Sequence, residues 1–399
     1  MSALTTIAAI VIISTLGGWM FRFAGQKGSQ NAPYFRDMPY GVAVGYVLGA
    51  IVLLWLAKTY YLGTTLEAPA SNQYFFFVKA INLFVIFALV AYVFRIFGRH
   101  VGTAGTKKLF RAMPVTAAFG VMIIIAYAVT AIFAGVIAPH GQDQVFALAN
   151  VVPGGDPALG GNPDFPLGTD QIGRDILSRL IYGAQNTVGI AFATTLLAFF
   201  IGASLGFLAA TLGGWVDQLL SRAVDVMMAI PSLIFALLLM TIASAWAGSE
   251  KGILTLYMVV IIAVIDSTRV FRLARAVGQS IVVMDYIEAA KLRGEGLGYL
   301  VFREILPNAT APLLAEFGLR FCFVFLTIAS LSFLGVGIQP PLADWGTMVR
   351  DMSQFINFAA FAPQVAVAPL LAAGAIALLT VGVNFVVDWM LHKSSGLKE

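Results

Sequence analysis

Side chains that could catalyse a reaction or bind a metal are few in this sequence, and they lie far apart along it. Cys322 is the single cysteine and lies inside an apolar run, which favours a packing role. The histidines His100, His140 and His392 fall in three separate loops or tails. Metal-ligand spacings such as HExxH and paired CxxC are absent, as is a phosphate-binding GxxxxGKS/T loop. The sequence therefore predicts no catalytic residue and no metal site, and any ATP that is used must be bound by another chain.

The composition excludes a water-soluble enzyme. Of the 399 residues, 59% are hydrophobic and 11% are charged, and the mean hydropathy is +0.88. An ordinary soluble domain is about 25% charged, and a soluble fold of this length could not bury so much apolar surface. The formal net charge of +4 is typical of cytoplasmic loops in a membrane protein, so it does not indicate nucleic-acid binding.

The apolar runs predict an all-α polytopic membrane protein with about nine transmembrane helices. A membrane helix needs about 20 mostly apolar residues. The segments that meet this requirement are Ala3–Phe21, Tyr40–Leu62, Tyr74–Phe97, Pro114–Ala138, Thr187–Leu212, Val224–Trp246, Ile253–Val270, Pro312–Leu334 and Val365–Met390.

The distribution of lysine and arginine predicts the orientation. These residues gather after the first, third and seventh spans, whereas the segment from Pro139 to Asn186 is rich in aspartate. The positive-inside rule then places the N-terminus outside and the C-terminus inside. We expect two blocks. Residues 1–111 form an accessory block of about three helices, either a scaffold for partners or lipid-packed helices, and residues 112–399 contain an outer loop at 139–186 and a cytoplasmic loop at 271–310.

Two pairs of opposite charge lie within the predicted spans. Asp266 and Arg269 are three residues apart and are expected to pair locally. Glu316 and Arg320 are four residues apart on one helix face. An ionisable residue at membrane depth is a functional hypothesis by default, so Glu316 and Arg320 either line a pathway or form an inward-facing structural pair.

The cytoplasmic loop is predicted to contain a short helix. The segment from Asp285 to Arg293 has good helix formers, an acidic start and a basic end, as the helix dipole prefers. Gly294 follows where a helix commonly ends in a left-handed glycine. A second apolar stretch from Tyr299 to Leu306 is expected to end at Pro307, which cannot continue a helix without losing a hydrogen bond. Such a protruding helix suits docking into a groove on a soluble partner.

The spacing in this loop resembles a known pattern. Glu288-Ala289-Ala290, Gly294 and Leu306-Pro307 match EAAxxxG, nine residues, then IxLP, which is the EAA loop of ABC-importer membrane subunits; Glu304 stands where that pattern has isoleucine. The resemblance implies an ATPase-coupling site formed by Asp285, Tyr286, Glu288, Ala289, Ala290, Gly294, Leu306 and Pro307.

The outer loop carries a second resemblance. Leu167 to Arg179 is similar to the LGTDxxGRDxxSR signature of peptide, opine and nickel importer permeases, specifically the C branch of dipeptide and oligopeptide permeases. Its signature residues are Gly168, Thr169, Asp170, Gly173, Arg174 and Asp175. The charged ones either contact a substrate-delivering binding protein or brace the loop internally through ion pairs and caps.

The segment from Val226 to Pro231 also resembles this branch of permeases. This proline is expected to kink the sixth span, either aiding alternating access along the translocation path or simply fixing a bend.

Together these resemblances imply the six-helix core of a type I ABC importer permease, preceded by three extra helices, in the bacterial inner membrane. The implied function is to form the path of an ATP-driven importer for a short peptide or a related solute such as an opine or nickel chelate. The implied partners are a second homologous permease, one or two ATP-binding subunits that carry ATP and Mg, an extracytoplasmic solute-binding protein and membrane lipid. This chain itself is expected to bind no cofactor and no nucleic acid.

Two other classes of membrane protein make different predictions for the sequence. An ATP-independent secondary transporter or channel would show midplane charges, paired broken helices or an ion filter. A membrane-embedded enzyme would need a nucleophile with a base, or paired metal ligands. The sequence shows neither set convincingly.

Overall fold

The computed structural model describes residues 15–20, 40–41, 44, 47, 85–96, 98, 104–154, 157, 160–248, 250–359 and 365–394. The chain divides into two units, Met1–Phe87 and Ala88–Glu399. In the first unit residues 15–20 are helical, and the Tyr40 hydroxyl donates a hydrogen bond to the Thr15 carbonyl. The first three predicted spans lie mostly outside the described residues, apart from the helix Val85–Ile96. Their number, and a block boundary at residue 111, stay predictions.

Where the second unit is described it is helical, with only isolated β-bridges in the segment 145–175. Its main helices are α1 Ala104–Ala112, α2 Val115–Ile132, α3 Ile176–Leu212, α4 Gly214–Ala229, α5 Ser232–Ala247, α6 Lys251–Val282, α7 Asp285–Leu292, α8 Leu297–Phe333, α9 Trp345–Met352 and α10 Val367–Ser394. The largest core lies around Phe325, Ile328 and Trp345, which come from α8 and α9.

Within the described residues, five helices are long and apolar enough to cross a membrane: α2, α3, α6, α8 and α10. The bent pair α4 and α5 makes a sixth if it is counted as one span. These elements correspond in order to the fourth to ninth predicted spans, so the all-α polytopic prediction is confirmed for this part of the chain.

The sixth predicted span, Val224–Trp246, is wrong as a single helix. Ile230 and Pro231 separate α4 from α5, and the two helices meet at 90°. Ile230 is extended and Pro231 is the N-cap residue of α5, so this pair ends one helix and starts another rather than kinking a continuous one. Proline suits this position because its missing N–H is not needed at a helix start.

Three helices continue well beyond the apolar runs that predicted them. α3 begins at Ile176 rather than Thr187, which shortens the outer loop, and α6 continues to Val282 rather than Val270. α8 begins at Leu297 and runs through Pro307, so the predicted end of the apolar stretch at Pro307 is wrong. A π-helical segment, Leu300–Ile305, ends two residues before Pro307 and changes the hydrogen-bond pattern near the missing N–H donor.

Helices α3 and α6 run parallel and approach backbone to backbone. A β-carbon on Gly206 would lie 2.7 Å from the Phe271 carbonyl oxygen, and one on Gly202 would lie 2.5 Å from the Ser267 carbonyl oxygen. One turn further along, Ala210 faces Gly278. Small residues four apart allow this close approach in membrane helices. Because the two helices are parallel, the C-terminal ends of α3 and α6 lie at the same end of the helix bundle.

Candidate functional site

The short helix α7 is anchored by two side chains on one face. Ile287 and Ala290 are fully buried in a cluster with Ile281 from the end of α6 and with Leu300 and Ile305 from α8. Residues three apart share a helix face, so one side of α7 is fixed to the ends of two long helices. The position of α7 therefore depends on the ends of α6 and α8.

The turn after α7 is a Schellman motif. The amide of Gly294 donates to the Lys291 carbonyl at 2.9 Å, and the amide of Glu295 donates to the Ala290 carbonyl at 3.2 Å. Gly294 has φ +80°, the left-handed conformation that this motif requires and that glycine adopts without strain. The predicted short helix and its glycine stop are confirmed here.

The opposite face of α7 is exposed. Asp285, Tyr286, Glu288 and Ala289 all face solvent, and Leu292 is 83% exposed. Among the described residues the Glu288 carboxylate has no hydrogen bond or ion pair. This face offers apolar side chains and the unpaired Glu288 carboxylate, with Lys291 exposed beside it, and such a mixture of groups is found in protein-docking surfaces.

Two predicted residues of this segment belong to α8 instead. Leu306 is half-buried against the cluster that anchors α7, and Pro307 is exposed in the first turn after the π segment. Both are therefore part of the helix that receives α7, not part of its exposed face.

In the loop that precedes α3, Asp170 organises a tight turn. Its Oδ1 accepts hydrogen bonds from the amides of Ile172 and Arg174, and its Oδ2 lies 2.7 Å from the Arg174 Nε. The flanking glycines have φ +77° at Gly168 and +85° at Gly173, and a β-carbon at either would collide with a carbonyl oxygen. Thr169, which is buried, donates to the Leu148 carbonyl at 2.6 Å.

Asp175 ends this loop by capping α3. Its carboxylate accepts hydrogen bonds from the amides of Leu177 and Ser178, and its Oδ2 lies 3.2 Å from the His140 Nδ1. Asp170 and Asp175 are both buried. These contacts are ion pairs and a helix cap within the loop, as expected if its charged residues brace it internally.

The sequence interpretation missed a buried polar network next to this loop. Asp344 caps α9 through the Thr347 amide at 2.8 Å and accepts from the Thr187 hydroxyl at 2.9 Å. The Trp345 indole donates to the Leu180 carbonyl.

Burial raises the pKa of the Asp344 carboxyl, and the Thr347 and Thr187 hydrogen bonds oppose that rise. The Asp-Trp dipeptide after Pro340-Pro341 is a helix-cap signal that could have indicated it.

The charged pairs in the spans form one cluster between α6 and α8. Arg320 lies 2.7 Å from Glu316 and 3.8 Å from Asp266, and Asp266 lies 3.2 Å from Arg269. The expected pairs Asp266–Arg269 and Glu316–Arg320 are both present, and the contact between Arg320 and Asp266 links them. Pro231 lies outside this set of contacts. No group of three or more His, Cys, Asp and Glu suited to a metal occurs in the described part of the chain.

Residues 202–393 match a family described as the binding-protein-dependent transport system inner membrane component. A dipeptide transport system permease protein of Haemophilus influenzae is 35% identical over 245 residues, covering 61% of this chain and 79% of its own. A di/tripeptide permease of Pseudomonas aeruginosa is 34% identical over 240 residues, covering 60% of this chain and 76% of its own. A glutathione permease of Pectobacterium atrosepticum is 30% identical over 267 residues, covering 66% and 82%.

The helices and these matches define a multi-pass permease subunit of an ABC importer in the inner membrane, a transport subunit rather than an enzyme. The chain belongs to the binding-protein-dependent transport system inner membrane component family.

Proposed function

We propose that this permease imports short peptides, driven by ATP hydrolysis on partner chains. The relatives named above are permeases for dipeptides, for di- and tripeptides and for glutathione, and these substrates share a peptide backbone. A solute-binding protein on the outer side delivers the peptide, and a second homologous permease completes the path. Opines and nickel chelates are the competing solutes.

The observation that carries the coupling proposal is that α7 is buried on one face and exposed on the other. Ile287 and Ala290 fix it to α6 and α8, while Glu288, Ala289 and Leu292 remain free for a partner. We infer that α7 docks into a groove of an ATP-binding subunit, with ATP and Mg held by that subunit. Closure of two such subunits moves α7 and, through the shared cluster, the two long helices.

This proposal sets the topology. The docking end is cytoplasmic, which places the C-terminal ends of α3 and α6 and the C-terminus of the chain inside and the loop 139–175 outside. Three spans before α2, as the sequence predicts, then place the N-terminus outside. Residues 1–111 are then an accessory membrane block and 112–399 the importer core. Asp170, Arg174 and Asp175 act as internal braces of the outer loop, so a binding protein meets the surface they support.

For the predicted pathway residues we propose positioning roles. Glu316 and Arg320 hold α8 against α6 through Asp266, and Pro231 fixes the bend between α4 and α5. None of the three is required to contact the solute in this scheme.

Site-directed cross-linking tests the docking. With Cys322→Ala as background, Ala289→Cys on the exposed face of α7 is expected to cross-link to an ATP-binding subunit in native membranes. Ala245→Cys, an equally exposed alanine near the far end of α5, is the matched control and is expected to form no such product. Cross-linking from both positions, or from neither in a complex that still transports, would contradict the docking.

The peptide substrate is tested separately. The purified complex in liposomes should take up a labelled dipeptide only when the binding protein and ATP are present. Uptake without ATP would favour the secondary transporter, and ATP-driven uptake of a nickel chelate but no peptide would overturn the substrate while leaving the coupling intact.

A further inference from the structure

Helix α4 lies on the surface of the second unit. None of its 16 residues is buried, although the chain is membrane-spanning on both sides of it. Its outward face carries three large apolar side chains, Trp215, Leu219 and Val226, which are 74%, 60% and 70% exposed. An exposed apolar stripe of this kind needs a partner.

Two contacts show that α4 runs across α6 and not along it. Asp217 pairs with Arg275, and Met228 contacts the guanidinium of Arg272. Positions 217 and 228 are about 16 Å apart along α4, whereas 272 and 275 are about 4.5 Å apart along α6. The 90° bend between α4 and α5 gives the same orientation independently. If α5 crosses the bilayer, α4 lies in its plane.

The position of Arg275 along α6 gives the depth of α4 in the membrane. α6 starts at Lys251, and Arg275 follows 24 residues later, about 36 Å along the axis. The hydrocarbon core is about 30 Å thick. The Asp217–Arg275 ion pair therefore lies at the level of the lipid headgroups, at the end from which α7 protrudes.

The surface of α4 has three flanks. The flank with Asp217, Val224 and Met228 is half-buried against the protein. The exposed remainder divides into an apolar flank with Trp215, Leu219 and Val226 and a polar flank of Gln218, Arg222 and Asp225. Immersion in hydrocarbon would place two charges in lipid, and immersion in water would expose the apolar flank. Only the bilayer interface suits both flanks.

We propose that α4 is an interfacial anchor whose partner is the inner surface of the lipid bilayer. Its apolar flank enters the boundary between headgroups and acyl chains, and Arg222, at the border of the two flanks, reaches the lipid phosphates. The anchor fixes the depth of α6 in the membrane, and with it the depth of α7. The inference rests on the membrane topology proposed above but not on the substrate.

Spin-label accessibility in the assembled transporter tests this. In the Cys322→Ala background, single cysteines replace Leu219 and Val226 on the apolar flank and Gln218 and Asp225 on the polar flank. The labelled complexes are placed in nanodiscs, and collision with oxygen, which partitions into lipid, is compared with collision with a water-soluble nickel chelate. We expect the oxygen-to-nickel ratio to be several-fold higher at Leu219 and Val226 than at Gln218 and Asp225.

Two results would overturn the anchor. Shielding of Leu219 and Val226 from both reagents would show a protein partner, such as the second permease, and nickel access equal at all four positions would show a helix in water. ATP-driven uptake is measured on the same preparations, so a complex that transports but lacks the accessibility pattern refutes the anchor alone, and loss of transport in the Cys322→Ala background points to assembly instead.

Discussion

The carbonyl oxygen of Phe271 lies 2.7 Å from the point where Gly206 would carry a β-carbon. Even one methyl group at this position would force α3 and α6 apart. The contact is repeated at Gly202 one turn earlier, so glycine spacing sets the separation of α3 and α6.

Gly206→Ala is therefore expected to destabilise the permease by about 1–3 kcal/mol through overpacking. Gly374→Ala is the matched control, because it lies in the interior of α10 with open space around it, and there alanine should be neutral or stabilise by up to about 1 kcal/mol. The thermal unfolding of the purified complex in detergent measures both. Equal midpoints for the two variants would mean that the close contact does not limit helix packing.

Gly294→Ala is expected to cost about 1–2 kcal/mol locally, because alanine is strained in the left-handed conformation. ATP-driven uptake should fall while the complex stays assembled, since the direction of the chain after α7 changes. Gly294→Asn should retain more uptake, because asparagine tolerates this conformation better.

The matched control for this position is Gly298→Ala, since Gly298 is helical and equally open. Its uptake should equal that of the unmodified complex. A similar loss of uptake in Gly294→Ala and Gly298→Ala would attribute the effect to side-chain bulk and not to backbone conformation.

Asp344→Ala removes the cap of α9 and leaves the Thr187 hydroxyl and the Thr347 amide without their acceptor. A buried donor without a partner costs about 1–3 kcal/mol, so the unfolding temperature should fall clearly. Asp164→Ala, at an exposed aspartate of the outer loop, should leave it unchanged. A fall of the same size at Asp164 would exclude the network as the cause.

Arg320→Met leaves Asp266 and Glu316 without their shared cation. Breaking a fully buried ion pair costs about 3–5 kcal/mol, and the loss should be smaller here because Glu316 is 22% exposed and Asp266 keeps Arg269. If these residues position α8, the additional change Glu316→Gln should restore part of the lost stability, and the preference among dipeptides should stay the same. A changed dipeptide preference with unchanged thermal unfolding would instead place Glu316 and Arg320 in the solute pathway.

The sequence by itself determined the membrane class, the order of the core spans and the short helix that ends at Gly294. These features depend on local composition and on turn chemistry, namely long apolar runs, helix formers and a left-handed glycine. It also indicated that Asp170, Arg174 and Asp175 form caps and ion pairs, since those bonds join residues a few positions apart.

Only the tertiary structure decided how far the helices extend and which distant residues contact one another. Hydropathy marks the part of a helix inside lipid, so three helix ends outside that part carried no such signal. These are the start of α3 at one end of the bundle, and the end of α6 and the start of α8, which pack on each other at the other end. Pro231 indicated a bend in the sixth span but not its angle of 90°. The link from Arg320 to Asp266 and the bond from Thr187 to Asp344 join segments distant in sequence. Such contacts arise from the way whole helices pack, and no local pattern encodes them.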